Sequence, residues 1–442
     1  MNRQPVDRRS FMKLAGLSAL GLAAQRPGVA GTAGLLRRLR SYVPVLPPTV
    51  DRMPQIKHFV VLMMENHSFD NILGTLQRPD VDGLTLSGGV PINTNPDASG
   101  TPVRSFHLPT MCQDGFHVTQ SWDASHHQYN GGAMDDFVVT SGREAMGYYT
   151  ETDLPVTHAL AKAFPVCDRW FCSTLCQTFP NRLFLLAGTA EGSISTDVQE
   201  RAMAHAPKNG TIFSRFNAAG VSWRNYLFDL GDSMLWGPQY FAVQQGHVFP
   251  IPQFFADAAT GTLPSFSIIS PDAFITSEEN PQNVSIGETL VWSVATAVMN
   301  SPAWRSTALL ITYDEHGGYY DHVPPVAVPN PDGIAPRASN LYGDNYTLSG
   351  FRVPAILVSP WARRNYVSHT VYDHTSMLAY CERKWNLAPM TARDAAANDM
   401  FDLFDLSAPA FATPPALPRP NVVAKTLECL KAGQLGYEPG LP

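Results

Sequence analysis

The chain has 442 residues, 44% of them hydrophobic and 16% charged, with 31 basic and 38 acidic side chains giving a net charge of -7. That balance excludes a disordered chain and supports a large buried core. With no run of Lys or Arg beyond residue 40, it also excludes nucleic acid as a partner.

In chain order, the first feature is Arg8-Arg9-Ser10-Phe11-Met12-Lys13, followed by the apolar stretch Leu14 to Ala24 and small residues up to Ala33. The stretch is too short to span a bilayer. The pattern reads as a twin-arginine export signal over residues 1–33, an address recognised by a receptor. It predicts the twin-arginine export machinery as a partner and the periplasm, cell surface or exterior as the destination. Residues 34–442 show no internal repeat and no clean linker, which predicts one domain. An oxidising destination permits disulfides among Cys112, Cys167, Cys172, Cys176, Cys381 and Cys429, but spacing does not choose the pairs. Cys167, Cys172 and Cys176 lack the CxxC spacing of a thiolate zinc site.

Ile56 to Met64, IKHFVVLMM, is of strand length with an apolar run from Phe59, the pattern of a strand buried on both faces, and it ends on Glu65-Asn66-His67-Ser68-Phe69-Asp70. Residues 77–115, rich in Gly, Pro and Asn, predict loops and hairpins. In Trp122 to Gly132, the residues Trp122, His126 and Asn130 recur every four positions and predict one helical face. Residues 155–165 read as an amphipathic helix. Thr178 stands where an N-cap would, with Pro180 in the first turn and an apolar helix beyond. A hydroxyl there meets the free N–H groups and positive dipole end that suit a phosphate, with Asn181 and Arg182 as further donors.

Residues 210–230 predict a helix and a short strand, Leu263 to Ser270 a buried strand, and Gly287 to Met299 a helix. Thr307 to Tyr313 is a second doubly buried strand. Asp314, Glu315 and His316 follow it, then Gly317-Gly318, then Asp321 and His322. Val353 to Ser359 predicts another strand, and Tyr372 to Leu378 a helix start capped by Asp373 or Thr375. The alternation of strands and helices predicts an α/β fold with a largely parallel central sheet sandwiched by helices and long loops around the site. Ligands bind outside the carboxyl ends of strands in such sheets. Two strand ends rich in carboxylate and imidazole therefore predict a metal site.

Several segments together resemble one family: MENHSFDNILGT (64–75), WDASHHQYNGGAMDDF (122–137), TFPNRLFLLAGT (178–189), LITYDEHGGYYDHVPP (310–325), RVPAILVSPWARRNYVSHTVYDHTSML (352–378) and WNLAPMTARDAAANDMFDLFD (385–405). The chain is similar to the bacterial phosphoesterases that include non-specific phospholipase C and a branch of acid phosphatases, within the alkaline-phosphatase-like superfamily. The resemblance implies a divalent metal held by Glu65, Asn66, Asp314 and Glu315 with the nucleophile oxygen of Thr178; hard oxygen ligands point to Mg, Mn or Ca, and the nearby histidines leave Zn open. It implies that His126 and His322 bind phosphate or transfer protons. Asn181, His316, Asp321 and His374 take supporting places around them.

Two positions depart from the family pattern: Asn280 stands where a His precedes Pro281, and Gln120 where a His lies two residues before Trp122. Asn cannot give a proton to a leaving alkoxide, so one acid-base role is open, with His117 and His127 as the nearby histidines. The expected activity is phospholipid head-group cleavage through a phosphothreonine, with transient contact with a membrane surface. The alternatives are an acid phosphatase acting on phosphomonoesters and a catalytically impaired phosphate- or lipid-binding homologue.

Overall fold

A computed structural model describes residues 50–197, 207–229, 231–237, 244–337, 342–420 and 422. The Arg8-Arg9 segment and Cys429 lie outside the described residues.

The strands of the central sheet are β1 (His58–Met64), β2 (Val166–Cys167), β3 (Trp223–Leu227), β4 (Val248–Pro250), β5 (Phe266–Ser270), β6 (Thr307–Tyr313), β7 (Ala355–Val358) and β8 (Val367–Ser368). They lie in the order β4-β3-β5-β1-β6-β7-β2-β8. From β4 to β6 every pairing is parallel, and β7 runs antiparallel to both β6 and β2. The fold is thus α/β with a mostly parallel sheet, as the alternation of patterns predicts. β6 is buried at every position, and β1 at every position but His58. Side chains alternate between faces, so a run buried throughout means that both faces are covered.

The helices that bear on the site are α1 (Phe69–Leu73), α2 (Trp122–Tyr129), α3 (Pro155–Ala163), α4 (Thr178–Ala187), α5 (Val284–Met299) and α6 (Thr375–Trp385). α5 packs on β1, β6 and α3, and α4 packs on α6. The start of α3 is capped from outside: Glu288 of α5 accepts from the backbone N–H groups of Val156 at 2.7 Å and Thr157 at 3.1 Å, and from the Thr157 hydroxyl at 2.5 Å. Two of the orphan donors of that helix are thereby satisfied inside the protein.

Several expectations shift by a residue or two. Gln177 is the N-cap of α4, so Thr178 is its first helical residue, and α6 has His374 rather than Asp373 or Thr375 at its N-cap. Asn130 is the left-handed C-cap of α2, not part of its face. Cys112 is disulfide-bonded, whereas Cys167, Cys172, Cys176 and Cys381 are buried thiols outside any disulfide. No cluster of metal-ligating side chains among the described residues includes a cysteine.

Candidate active site

The register of β1 against β6 builds the floor of the site. Met64 pairs with Tyr313 in parallel, so Glu65 and Asp314 leave the sheet side by side. The Asp314 N–H donates to the Met64 carbonyl at 3.1 Å, and the Glu65 N–H to the Ser277 carbonyl beyond β5 at 2.8 Å. Glu65, Asn66, Asp314 and Glu315 are all buried. Gly317 then brings its backbone against that of Asn66. Its φ is +67°, and a Cβ there would fall 2.0 Å from the Asn66 carbonyl oxygen, so only glycine fits.

The start of α4 closes the site from the other side. The Asn181 side chain accepts from the Thr174 N–H at 3.0 Å and donates to the carbonyls of Thr174, Cys176 and Gln177 at 3.3, 2.9 and 3.1 Å. It therefore secures the turn that delivers Thr178 and does not point a donor at a ligand. Thr178 is buried, and its hydroxyl donates to Asn66 Oδ1 at 3.4 Å. Four residues on, the buried Arg182 pairs through Nε with Asp314 Oδ2 at 2.9 Å, and through its terminal nitrogens with Asp232 at 2.7 Å and Glu65 at 3.0 Å. It also donates to the Met63 carbonyl at 3.2 Å. The guanidinium is committed to carboxylates rather than offered to a phosphoryl group. Asp232 in turn accepts from the Ser270 hydroxyl at 2.5 Å. A small cavity lined by Glu65, Phe179, Arg182, Asp232, Leu235 and Ser270 opens on this group.

The charges here do not balance. Three carboxylates share one guanidinium, and Glu315 adjoins them. Burial first, and then neighbouring carboxylates, push Asp314 and Glu315 well above the ordinary carboxyl range, with Arg182 opposing this at Asp314. Glu315 Oε2 accepts from the Gly317 N–H at 2.8 Å, while Oε1 is buried with no hydrogen-bond partner. His316 supplies nothing to it. Its Nε2 lies 2.7 Å from Gln128 Oε1, whose amide nitrogen is itself a donor to Thr119, Thr140 and Ser141, so Nε2 carries the proton. Burial lowers His316 to about 3, so the imidazole is neutral and Nδ1 turns a lone pair towards Glu315 Oε2, 3.3 Å away. A buried carboxylate oxygen without a donor, in a cluster where burial and neighbouring carboxylates disfavour the charged forms, fits a divalent cation that would favour them.

His374 supports the same strand end. Its Nε2–H donates to the Asp314 carbonyl at 2.7 Å, and its Nδ1 accepts from Trp170 Nε1 at 3.3 Å. Burial lowers it to about 4, which keeps that tautomer neutral.

The other two histidines are bound elsewhere. His126 donates from Nδ1 to the Trp122 carbonyl at 2.7 Å, has Nε2 at 3.1 Å from Asp344, and stacks on Tyr342 with ring centres 4.6 Å apart. His322 has Nδ1 at 2.6 Å from Asp70 and Nε2 at 3.1 Å from Asp82. Asp70, Asp321 and His322 bring ligand atoms within 4.8 Å of one another, a second candidate metal group. Arg352 already supplies the cation there, with Nε at 2.8 Å from Asp321 and a terminal nitrogen at 3.1 Å from Asp70.

The structure thus gathers Glu65, Asn66, Thr178, Arg182, Asp314 and Glu315 into one cluster, with Asn181, His316 and His374 behind them. None of the contacts just given joins His126, Asp321 or His322 to it. The sequence reading missed Asp232, and it missed Glu279, whose Oε1 lies 3.4 Å from Asn66 Nδ2. Asp232 opens a short 3-10 helix, Asp232–Trp236, and Glu279 sits in a loop; neither has a periodic pattern, although Glu279 adjoins the Asn280 departure.

Known proteins resemble the chain along most of its length. Non-specific phospholipase C1 of Arabidopsis thaliana is 34% identical over 373 residues, covering 77% of this chain and 69% of its own. Phospholipase C B of Mycobacterium tuberculosis (strain ATCC 25618 / H37Rv) is 31% identical over 458 residues, covering 88% and 85%. Among solved structures, a protein in the alkaline phosphatase superfamily from Vibrio parahaemolyticus aligns with a TM-score of 0.39 at 9% identity, over 88% of this chain and 78% of that one. The Phosphoesterase family matches residues 56–388, a span that holds both strand ends, the start of α4 and His374, and the chain belongs to that family.

Proposed function

We propose that this phosphoric ester hydrolase cleaves phospholipids in the manner of a phospholipase C, with Thr178 Oγ1 as the attacking oxygen and a phosphothreonine as the intermediate. The observation that carries the reading is the buried Thr178 hydroxyl, bonded to Asn66 at the mouth of a carboxylate cluster. Two relatives that match most of the chain are named phospholipases C, which favours a diester with a lipid leaving group over a monoester. The Thr178–phosphorus bond forms as the bond to the diacylglycerol oxygen breaks, and that oxygen takes up a proton. Water then hydrolyses the phosphothreonine and releases the head-group phosphate.

Glu65, Asn66, Asp314 and Glu315 would hold a divalent metal with Thr178. When bound, such an ion lowers the pKa of a hydroxyl and offsets charge on phosphoryl oxygens. The protein's own share is positional. Register places the carboxylates, and Asn181 fixes the entry to α4. Arg182 holds Glu65 and Asp314 together. The Arg8-Arg9 segment supports export by the twin-arginine route as part of the same proposal.

The test is metal analysis of the purified protein, with diglyceride release from phosphatidylcholine and phosphate release from p-nitrophenyl phosphate measured before and after chelation. The reading expects bound divalent metal, chelator-sensitive diglyceride release and a weaker monoester reaction. Asp314→Asn should lower metal content and rate together. Full metal and full activity in that variant would place the site elsewhere, and monoester hydrolysis alone would favour an acid phosphatase.

A further inference from the structure

We propose that Glu279 is a positioning residue that fixes the amide of Asn66 so that its oxygen, and not its NH2 group, faces Thr178. The inference rests on the proposed role of Thr178 and concerns what holds the group beside it.

The argument turns on donor and acceptor identity. Asn66 Oδ1 lies 3.4 Å from Thr178 Oγ1, and Asn66 Nδ2 lies 3.4 Å from Glu279 Oε1. An amide has nearly the same shape when turned over, so packing alone discriminates weakly between its ends. The Thr178 hydroxyl can donate or accept and would pair with either end. A carboxylate only accepts, so Glu279 can face only the NH2 end. With that end engaged, the oxygen is left for Thr178, where it can take the hydroxyl proton in a hydrogen bond or share a cation with it. Both contacts are long, so the amide is aimed by its partners rather than clamped.

Glu279 is held for this task by the turn it occupies. Three consecutive side chains leave the turn in three directions. Glu278, at a left-handed φ of 76°, points inward, where its carboxylate accepts from the Tyr313 hydroxyl at 2.7 Å. Asn280 points away from the site and donates to the carbonyls of Gln113 at 3.2 Å and Phe116 at 3.4 Å. Only Glu279 of the three reaches Asn66, and its charge contributes to the upward displacement of Asp314 and Glu315. Gln113 Nε2 fastens the turn by donating to the carbonyls of Glu278 at 2.7 Å and Gln282 at 3.0 Å. The Asn280 departure from the family pattern therefore coincides with a side chain used to anchor the turn that presents Glu279.

The experiment compares Glu279→Ala, Glu279→Met and Glu279→Gln with the wild type, using p-nitrophenylphosphorylcholine as substrate. Ala and Met remove the acceptor, Met at similar length, and both should lower kcat about tenfold or more with KM little changed. Gln keeps an amide oxygen that can accept from Asn66 Nδ2 but can also turn its NH2 group towards Asn66 Oδ1, so its kcat should fall between that of the wild type and those of Ala and Met. Wild-type rates in Ala and Met, or a Gln variant as impaired as both, would overturn the inference. A merely structural role would not give partial rescue by Gln with a loss confined to kcat. Intact mass of the quenched wild type is read in parallel. If Thr178 is never phosphorylated, the nucleophile reading fails, while the pattern across the variants still decides whether Glu279 acts through its acceptor.

Discussion

Glu65 and Asp314 leave neighbouring strands at the same level and meet on one guanidinium, with Arg182 nitrogens 3.0 Å from Glu65 and 2.9 Å from Asp314. The Met64–Tyr313 register pair makes this possible. A slip of one residue would send one of the two carboxylates to the other face of the sheet.

Replacing Arg182 should therefore be costly beyond its own contacts. Arg182→Met would leave Glu65, Asp232 and Asp314 buried together with no countercharge, and breaking a buried pair from one side costs about 3–5 kcal/mol. Urea titration of the metal-free variant should show that loss. Added divalent cation should restore part of it, because the orphaned carboxylates gain another partner. A variant as stable as the wild type would mean that the three carboxylates are neutral in the fold.

The His322 group predicts a pH dependence with a definite sign. Burial alone would lower His322, but the Asp70 carboxylate 2.6 Å away, with Asp321 behind it, raises it to about 9. A group raised in the fold above its unfolded value of about 6.5 contributes fully below that value, and its contribution is lost as the pH passes through about 9. The difference in unfolding free energy between wild type and His322→Gln should be widest near pH 6 and shrink by about 2–3 kcal/mol towards pH 10. Glu382, which burial raises to about 9, also titrates in this range, so the comparison is made between the two proteins at each pH. A gap that stays constant with pH would remove the charged His322–Asp70 pair.

How far the sequence discloses the site follows from what each residue is near. β1 and β6 are legible because every position in them but His58 is apolar or β-branched, and their ends carry Glu65, Asn66, Asp314 and Glu315 in plain view. Their convergence needed one further fact, the parallel pairing in register, which no local pattern encodes. Val166–Cys167 and Val367–Ser368 are two residues long, too short for any period to show, so the far edge of the sheet was unreadable. Asp232 reaches the cluster from the start of a short 3-10 helix and Glu279 from a loop, both held by distant partners, Ser270 and Gln113. The histidines mark the opposite limit. Their chemistry was visible, but whether His126 and His322 serve the site depends on Asp344 and Asp70, which capture them in space. At Thr178 the difference was one residue, because Asn181 holds the carbonyls of the preceding turn and Gln177 takes the cap.

The central claim is that the Thr178 oxygen carries the phosphoryl group, and rapid-quench intact-mass measurement with phosphatidylcholine or p-nitrophenylphosphorylcholine tests it most directly. The wild type should gain one phosphocholine adduct that maps to Thr178 and decays at the turnover rate. Thr178→Ser should form the same adduct, because the oxygen survives. Thr178→Val, nearly the same shape without a hydroxyl, should form none and lose activity by several orders of magnitude. A Thr178→Val protein that turns over at a comparable rate would contradict the account and leave Thr178 as no more than the first residue of its helix.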